Sequence, residues 1–375
     1  MSNPTPPYRA DQVGSLLRPQ ALIDARDAFD AGRLDRAALT AAENEAIADV
    51  VAYQERLGLR AVTDGEYRRI SYLVDFVNAI DGVRATARGA SGWDYKAADG
   101  SASSVPATRI EVTGKVNWPE GGILTGDHAY LKSVATAAPK MTMPAPTQIY
   151  WFGGRAGIDA DAYPDLDEFW ADMIAVYRAE IAALAAAGCR YIQIDETCLP
   201  KISDPKMQAV LTARGDDWTQ LAGVFARVVA AITADPPPGV TVALHHCRGN
   251  SRGHWQAEGS YETVAERMFN EIPAAAHFLE YDSPRAGDFS PLRFVPASKT
   301  IVLGLVSTKL RDLEDADALK RRIDEAAKYV PLDRLCLSPQ CGFSSSHSGH
   351  PLTLDDQTRK LELIVDIARD VWGGV

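Results

Sequence analysis

Short apolar runs alternate with amphipathic stretches of helical period, and this alternation limits the fold more than any other feature of the sequence. The apolar runs are CRYIQIDE, VTVALHHC, AAHFLEYD, KTIVLGLVSTK and RLCLSP. The amphipathic stretches predict helices over residues 165–188, 216–239, 260–272, 315–330 and 354–372. Strands that alternate with helices form a parallel sheet with crossover helices, so we expect the α/β class.

Three further strands are predicted before residue 160, in RADQVGS, LRAVTDGE and KMTMPAPTQIYW, with helices across residues 20–57. Predicted strands then lie near residues 10, 61, 141, 191, 242, 278, 301 and 335. Eight βα units fit a closed TIM (β/α)8 barrel better than an open doubly wound sheet. We therefore predict a single TIM-barrel domain over residues 1–375.

The pattern lapses between about residues 73 and 137, where Gly- and Ser-rich stretches surround short β-like runs. We interpret this segment as an insertion after the second strand, formed by a hairpin and loops over one face of the barrel.

Charge and composition exclude several classes of protein. The net charge is −11 and no basic block is present, which argues against a nucleic-acid partner. No apolar leader and no run of about 18 apolar residues occurs, so we expect no membrane span and a cytoplasmic location. The five cysteines do not indicate a disulfide framework. No G-x-G-x-x-G or Walker A pattern supports nucleotide binding.

Polar residues follow most of the predicted strands, and barrel active sites lie at the carboxyl ends of strands. These residues are Gly14, Ser15, Asp64, Glu66, Trp151, Asp195, Glu196, His245, Cys247, Glu280, Asp282, Lys309 and Cys341. The sequence therefore predicts one functional rim.

The strongest signal within this rim is a possible metal site. His245 and Cys247 are two residues apart, so a strand can direct both side chains to one face. An H-x-C pair alone is more often a packed histidine and a buried cysteine. Glu280 and Cys341 end two other predicted strands, however, and zinc binds nitrogen, sulfur and oxygen ligands of these types. We therefore predict a catalytic zinc.

Such a ligand set favours thiol chemistry. Two thiolates and a carboxylate more than neutralise the zinc dication, and an electron-rich zinc stabilises a substrate thiolate while preserving its nucleophilicity. Sulfur attack on an alkyl carbon is therefore favoured over hydrolysis, with Glu280 as the ligand that the thiol displaces.

The other rim residues have two interpretations each. Asp195, Glu196 and Glu66 are either functional or carboxylates stabilised at helix N-termini. Ser15 is either a substrate ligand or a helix cap. Trp151 either packs in the core or stacks a flat substrate.

Seven motifs together resemble the cobalamin-independent methionine synthase family. They are VGSLLRP at 13–19, DGE at 64–66, TQIYW at 147–151, QIDE at 193–196, HHC at 245–247, LEYD around residue 280, and SPQCGF at 338–343. The resemblance implies a zinc ion held by His245, Cys247, Glu280 and Cys341. It also implies that Ser15, Glu66 and Asp195 bind homocysteine and that Trp151 lies against the pterin of the folate.

Three departures concern the methyl donor more than the thiol. Only one barrel is present, Ser307, Thr308 and Lys309 stand where the family carries a histidine, and Thr197 replaces the proline of IDEP. We therefore expect methyl transfer to homocysteine from a donor that the sequence does not identify. The alternatives are a coenzyme M-type thiol that opens an epoxide, and a non-catalytic barrel that stores or senses zinc.

Overall fold

The computed structural model describes residues 5–90, 95–97, 100–103, 106–347 and 350–375. The strands are β1 (Ala61–Val62), β2 (Asp81–Ala90), β3 (Tyr95–Lys96), β4 (Ala102–Ser103), β5 (Pro106–Asn117), β6 (Ala138–Pro144), β7 (Tyr191–Asp195), β8 (Thr241–His246), β9 (Ala276–Glu280), β10 (Thr300–Val306) and β11 (Leu335–Pro339). Seven of them form one parallel sheet in the order β1-β6-β7-β8-β9-β10-β11.

Helices cover the sheet. They are α1 (Gln20–Asp30), α2 (Arg36–Leu57), α3 (Val74–Asn78), α4 (Thr125–Val134), α5 (Thr147–Gly153), α6 (Leu166–Ala186), α7 (Cys198–Ile202), α8 (Pro205–Ala213), α9 (Trp218–Thr233), α10 (Ala316–Ala326) and α11 (Leu354–Trp372). The predicted helices at 165–188, 216–239, 315–330 and 354–372 are confirmed as α6, α9, α10 and α11. No helix in the described part of the chain is long and apolar enough to cross a membrane.

The N-terminal segment lies beside the last strand and closes the curled sheet. Ala10 forms a parallel bridge with Leu337, supported by a hydrogen bond from the Asp11 amide to the Leu337 carbonyl. A cluster of buried side chains then fills the interior, with members from this segment and from most strands of the sheet. These members are Tyr8, Val13, Ala61, Tyr191, Ala243, Ala276, Phe278, Val302 and Cys336. The expected α/β barrel class is confirmed.

Two predicted strands need correction. RADQVGS forms a single bridge at Ala10 rather than a strand, because its polar side chains bond to other interior groups: Gln12, for example, donates to Thr63 and Gln54. KMTMPAPTQIYW forms β6 only as far as Pro144, and the chain then turns through Pro146 into α5. Proline cannot donate a ladder hydrogen bond, and it is favoured at the start of a helix.

The predicted helix over residues 260–272 also needs correction. Residues 261–264 form a bend and turns, and only residues 265–271 are helical, with a π-helical turn over Arg267–Glu271. Tyr261 is held inward, where its hydroxyl contacts the carbonyls of His246 and Glu280. This tertiary contact outweighs the helical period of the sequence.

Along the chain, an antiparallel ribbon is inserted between β1 and β6. Strands β2 and β5 pair over most of their lengths, and the short strands β3 and β4 pair with each other. Lys96 forms a bridge with Trp255, which places this ribbon against the loop that follows β8. The organisation of residues 1–375 as a single domain stays a prediction.

One buried ion pair inside the barrel generates a stability prediction. Lys140 Nζ lies 3.0 Å from Asp11 Oδ1, both side chains are fully buried, and Tyr191 donates to the same carboxylate. Burial lowers the pKa of Lys140, and Asp11 opposes that effect. We expect Asp11→Ala to reduce the free energy of unfolding by about 3–5 kcal/mol, because it leaves a buried ammonium group unpaired.

Urea denaturation followed by circular dichroism measures this change. Asp370→Ala is the matched control because its pair with Lys320 is exposed, and its effect should stay below about 1 kcal/mol. Equal losses in the two variants would contradict the account.

Candidate metal centre and active site

The ends of β8 and β11 bring three possible metal ligands together. One nitrogen of His245 and the Sγ atoms of Cys247 and Cys341 all lie within 4.8 Å of one another, and all three residues are buried. His245 lies near the end of β8, and Cys247 follows that strand directly. Cys341 follows β11 by two residues. Because parallel strands direct their carboxyl ends to the same face of the barrel, residues 94 positions apart converge.

The sulfur atoms of the two cysteines are in contact. Cys341 Sγ donates to Cys247 Sγ across 3.8 Å, and this contact holds the pKa of Cys247 well below its usual range. The same contact, reinforced by burial, raises the pKa of Cys341. A lowered pKa favours the thiolate form of Cys247, and the thiolate is the form in which cysteine binds metals.

Asp195 orients the histidine. His245 Nδ1 lies 2.9 Å from Asp195 Oδ1, and Asp195 also accepts a hydrogen bond from Gln193. Burial alone would lower the pKa of His245, but the Cys247 thiolate and Asp195 outweigh burial and raise it to about 10. A carboxylate on one ring nitrogen fixes the ring and leaves the other nitrogen for a ligand, as in many metal sites.

Glu280 departs from the predicted ligand set. Its carboxylate ends β9 but is not part of the three-donor group. Oε1 lies 2.7 Å from Arg285 Nη1 and 3.1 Å from Lys309 Nζ, and Oε2 accepts from the Arg248 amide at 2.5 Å. Burial favours the neutral acid, but Lys309, Arg285 and Arg248 hold the pKa of Glu280 well below its usual range. Glu280 is thus ion-paired in this conformation, and its assignment as the fourth metal ligand stays a prediction.

Glu66 forms a second acidic position next to Asp195. It has a left-handed backbone with φ of 60°, a conformation rare for residues other than glycine and found most often at functional sites. Thr142 donates to Oε1 at 2.7 Å, and Arg69 lies 3.4 Å from the same atom. Burial raises the pKa of Glu66, Arg69 lowers it, and Asp195 raises it further. Oε2 is buried and has no hydrogen-bond partner among the described residues.

Ser15 lies beside the loop that carries Cys341. Its carbonyl accepts from the Phe343 amide at 2.8 Å. A Cβ atom on Gly342 would stand only 2.0 Å from Ser15 Oγ, so only glycine permits this approach. Ser15, Glu66, Asp195 and the three-donor group thus occupy one end of the barrel, as predicted from the strand ends.

Trp151 does not stand at a strand exit, as the sequence suggested. It lies in α5, and its side chain is fully buried, with Lys201 Nζ 5.3 Å from the ring centroid. Its carbonyl accepts from Arg214. In this conformation Trp151 packs in the core, which is one of its two predicted roles. Stacking of a flat substrate on Trp151 stays a prediction.

Two residues of the site, Arg285 and Thr142, were not predicted from the sequence. Arg285 lies in a short 3-10 helix (Pro284–Ala286) after β9, where no strand-end rule applies, and Thr142 lies inside β6, where it resembles an ordinary strand residue. The only available signal for Arg285 is its place three residues after Asp282, with which it forms an ion pair.

A parallel-stranded barrel with a histidine, two cysteines and buried carboxylates at its strand ends carries a candidate active site at one face. The chain belongs to the family of the cobalamin-independent synthase catalytic domain, whose sequence model matches residues 10–370. The family resemblance of the seven motifs is thereby confirmed.

Three similar proteins illustrate this relationship. Uncharacterized protein YxjH of Bacillus subtilis is 41% identical over 98% of this chain and 95% of its own length. A putative vitamin-B12 independent methionine synthase from Listeria monocytogenes has a similar structure, with a TM-score of 0.77, 29% identity, and coverage of 99% of this chain and 100% of that one. The 5-methyltetrahydropteroyltriglutamate–homocysteine methyltransferase of Mycobacterium tuberculosis is 24% identical over 98% of this chain, which spans only 44% of that enzyme.

The three-donor group generates a metal-binding prediction. Even the loss of a residue that only supports a metal ligand typically costs about 10–100-fold in affinity, so we expect Cys341→Ser to weaken Zn²⁺ binding by more than about 100-fold. Competition with a chromophoric chelator measures the affinity. Cys189→Ser is the matched control, because Cys189 is buried beside the Tyr191 carbonyl at the amino end of β7, whereas the three-donor group lies at the carboxyl ends of the strands. Similar affinities in both variants would show that Cys341 is not a ligand.

Proposed function

We propose that this chain is a zinc-dependent thiol alkyltransferase that transfers a methyl group to homocysteine and forms methionine. The observation that carries this proposal is the convergence of one nitrogen and two sulfur donors beside two buried carboxylates. The family membership and the name of the mycobacterial relative support methyl transfer to homocysteine.

The donor spacing fits zinc. Two sulfur atoms bonded to one zinc ion at about 2.3 Å and at a tetrahedral angle stand about 3.8 Å apart. Cys247 Sγ and Cys341 Sγ are separated by 3.8 Å. We therefore assign His245, Cys247 and Cys341 as the residues that would hold the ion. Zinc at this position would supply the positive charge that stabilises the substrate as a thiolate.

The acidic positions favour an amino-acid thiol over coenzyme M. Glu66 Oε2 is buried without a hydrogen-bond partner among the described residues, and Asp195 lies close enough to raise the pKa of Glu66. A substrate ammonium group would neutralise this pair of carboxylates, whereas the sulfonate of coenzyme M would add a further negative charge. Ser15, near Cys341 in space, is assigned to the substrate as well.

In the transfer itself, the substrate sulfur forms a bond to the methyl carbon while the bond between that carbon and the donor breaks. The electron pair of the broken bond leaves with the donor. Lys309 is ion-paired with Glu280 and Asp282, so we assign it no role as the acid that protonates the leaving group. The donor is therefore either a methylated folate that another group protonates or an already activated methyl carrier.

A thiol-binding experiment tests the choice of substrate. Homocysteine should bind the zinc-loaded protein with release of about one proton, since the thiol binds as a thiolate. Glu66→Gln should weaken this binding by about tenfold or more, because a buried hydrogen bond to a charged group contributes about 1.5–3 kcal/mol. Isothermal titration calorimetry in buffers of different ionisation enthalpy measures the affinity and the proton count.

4-Mercaptobutyrate is the matched control, because it is homocysteine without the ammonium group. Its affinity should be the same for wild type and for Glu66→Gln. Tight binding of coenzyme M without binding of homocysteine would replace this proposal with thiol addition to an epoxide. Binding of neither thiol would contradict thiol chemistry as a whole.

A turnover experiment tests the reaction. Zinc-loaded protein with homocysteine should form methionine from at least one of methyltetrahydrofolate, methylcobalamin and S-methylmethionine, as measured by mass spectrometry. We expect Cys341→Ser to lower the rate by more than about 100-fold, because loss of a ligand removes the ion that activates the thiol. Absence of methionine with all three donors would contradict methyl transfer to homocysteine.

A further inference from the structure

Lys201 is a buried cation at the same end of the barrel as the three-donor group. It lies in α7, which begins three residues after the end of β7, and it is only 2% exposed. Its ammonium group faces two aromatic rings of α5, with 5.3 Å from Nζ to the centroid of Trp151 and 5.9 Å to that of Phe152. Aromatic faces attract a cation but do not neutralise its charge.

The Lys201 ammonium group forms no hydrogen bond and no ion pair with the residues that the structure describes. Glu196 is charged in its neighbourhood, but other donors occupy the Glu196 oxygens. Oε1 accepts from the amides of Cys198 and Leu199, both at 2.8 Å, and Oε2 accepts from the Thr147 hydroxyl. Burial raises the pKa of Glu196, whereas these hydrogen bonds and the more distant Lys201 lower it. A buried ammonium group without a direct partner is unfavourable, so this position suits an anionic ligand.

A second polar group without a partner lies on the same face of α7. Thr197 stands directly before the helix and has a helical backbone, and Lys201 follows it by four residues, which brings the two side chains to one face. Thr197 Oγ1 is buried and has no hydrogen-bond partner among the described residues. A hydroxyl can donate one hydrogen bond, so Thr197 and Lys201 can bind the same anion.

The charge and the surroundings of these two groups favour a carboxylate. One ammonium group and one hydroxyl match the single charge and the two oxygens of a carboxylate, whereas the second negative charge of a phosphate would have no partner in this pair. The rings of Trp151 and Phe152 beside the ammonium group provide an apolar surface for the body of an organic molecule.

We propose that Lys201 and Thr197 bind a carboxylate group of the methyl donor, so that the donor is an organic carboxylate. The thiol substrate already has its assigned partners in Glu66, Asp195 and Ser15, which leaves this position for the second substrate. This inference rests on the proposed function, because it requires a methyl donor.

The location of α7 agrees with this assignment. Asp195, which orients the possible metal ligand His245, ends β7 just before Thr197. Gln148 of α5 donates to the Asp195 carbonyl at 2.8 Å, so α5 and the end of β7 are joined directly. A donor held between α5 and α7 would therefore lie at the end of the barrel where the thiol binds.

Benzoate and benzamide test the binding position, because the two molecules have nearly the same shape and only benzoate is charged. Isothermal titration calorimetry should show that wild type binds benzoate at least about tenfold more tightly than benzamide. Lys201→Met should remove this preference, and Thr197→Val should weaken benzoate binding by about fivefold or more. Lys206→Met is the matched control, since Lys206 is exposed in α8, and its affinity for benzoate should equal that of wild type.

Three results would overturn the carboxylate site. They are a failure of wild type to bind benzoate, a preference for benzoate that survives in Lys201→Met, and Lys201-dependent binding of inorganic phosphate in place of benzoate. Circular dichroism compares the folding of the variants. Thr197→Val changes the shape of its side chain very little, so it keeps the test decisive even where Lys201→Met does not fold.

Steady-state kinetics tests the assignment to the donor. With a donor that supports methionine formation, Lys201→Met should raise the KM for the donor by about tenfold or more and change the affinity for homocysteine by less than about twofold. Benzoate should compete with the donor and not with homocysteine. An unchanged KM for the donor, or a loss of homocysteine affinity in Lys201→Met, would overturn the assignment.

Benzoate binding requires neither zinc nor homocysteine, so this inference and the proposed function can fail separately. If wild type binds zinc and homocysteine but shows no Lys201-dependent binding of benzoate, only the present inference is wrong. If benzoate binds at Lys201 but no donor yields methionine, the proposed function is wrong, and the assignment to a methyl donor is wrong with it.

Discussion

Closure of the parallel sheet is the constraint on which the remaining structure depends. The bridge between Ala10 and Leu337 brings the N-terminal segment beside β11, so that Ser15 reaches the loop of Cys341. The same closed sheet sends the ends of β8 and β11 to one face, where His245, Cys247 and Cys341 meet. An open sheet of the same strands would leave these donors far apart.

This face of the barrel carries two pairs of acidic side chains, and the two pairs differ in the charged groups that surround them. Glu66 and Asp195 lie close together, with a buried carboxylate oxygen left for a cation. Glu280 and Asp282 are instead neutralised by Arg285 and Lys309. The first pair therefore has a carboxylate oxygen that could accept a hydrogen bond from an ammonium group. The carboxylates of the second pair already form ion pairs with cations of the protein itself.

Periodicity in the sequence predicted the barrel class, four of the long helices and the common location of the rim residues, because these features follow from local pattern and from strand polarity. It did not predict features set by tertiary contacts. Ala10 forms one bridge because its neighbours bond inside the barrel, and residues 261–264 turn rather than begin the predicted helix because Tyr261 points inward. Trp151 is in a helix because two prolines end β6. Glu280 was assigned from its strand position, whereas Arg285, which pairs with it, lies in a short 3-10 helix after β9 that no strand pattern indicates.

X-ray absorption at the zinc edge tests the central claim most directly, because it counts the sulfur atoms around the ion. The account predicts two sulfur ligands in the zinc-loaded protein, from Cys247 and Cys341, and three after homocysteine is added. A sulfur count that stays at two while homocysteine is bound would show that the thiol does not reach the metal. Zinc without sulfur ligands in the resting protein would contradict the assignment of the metal centre itself.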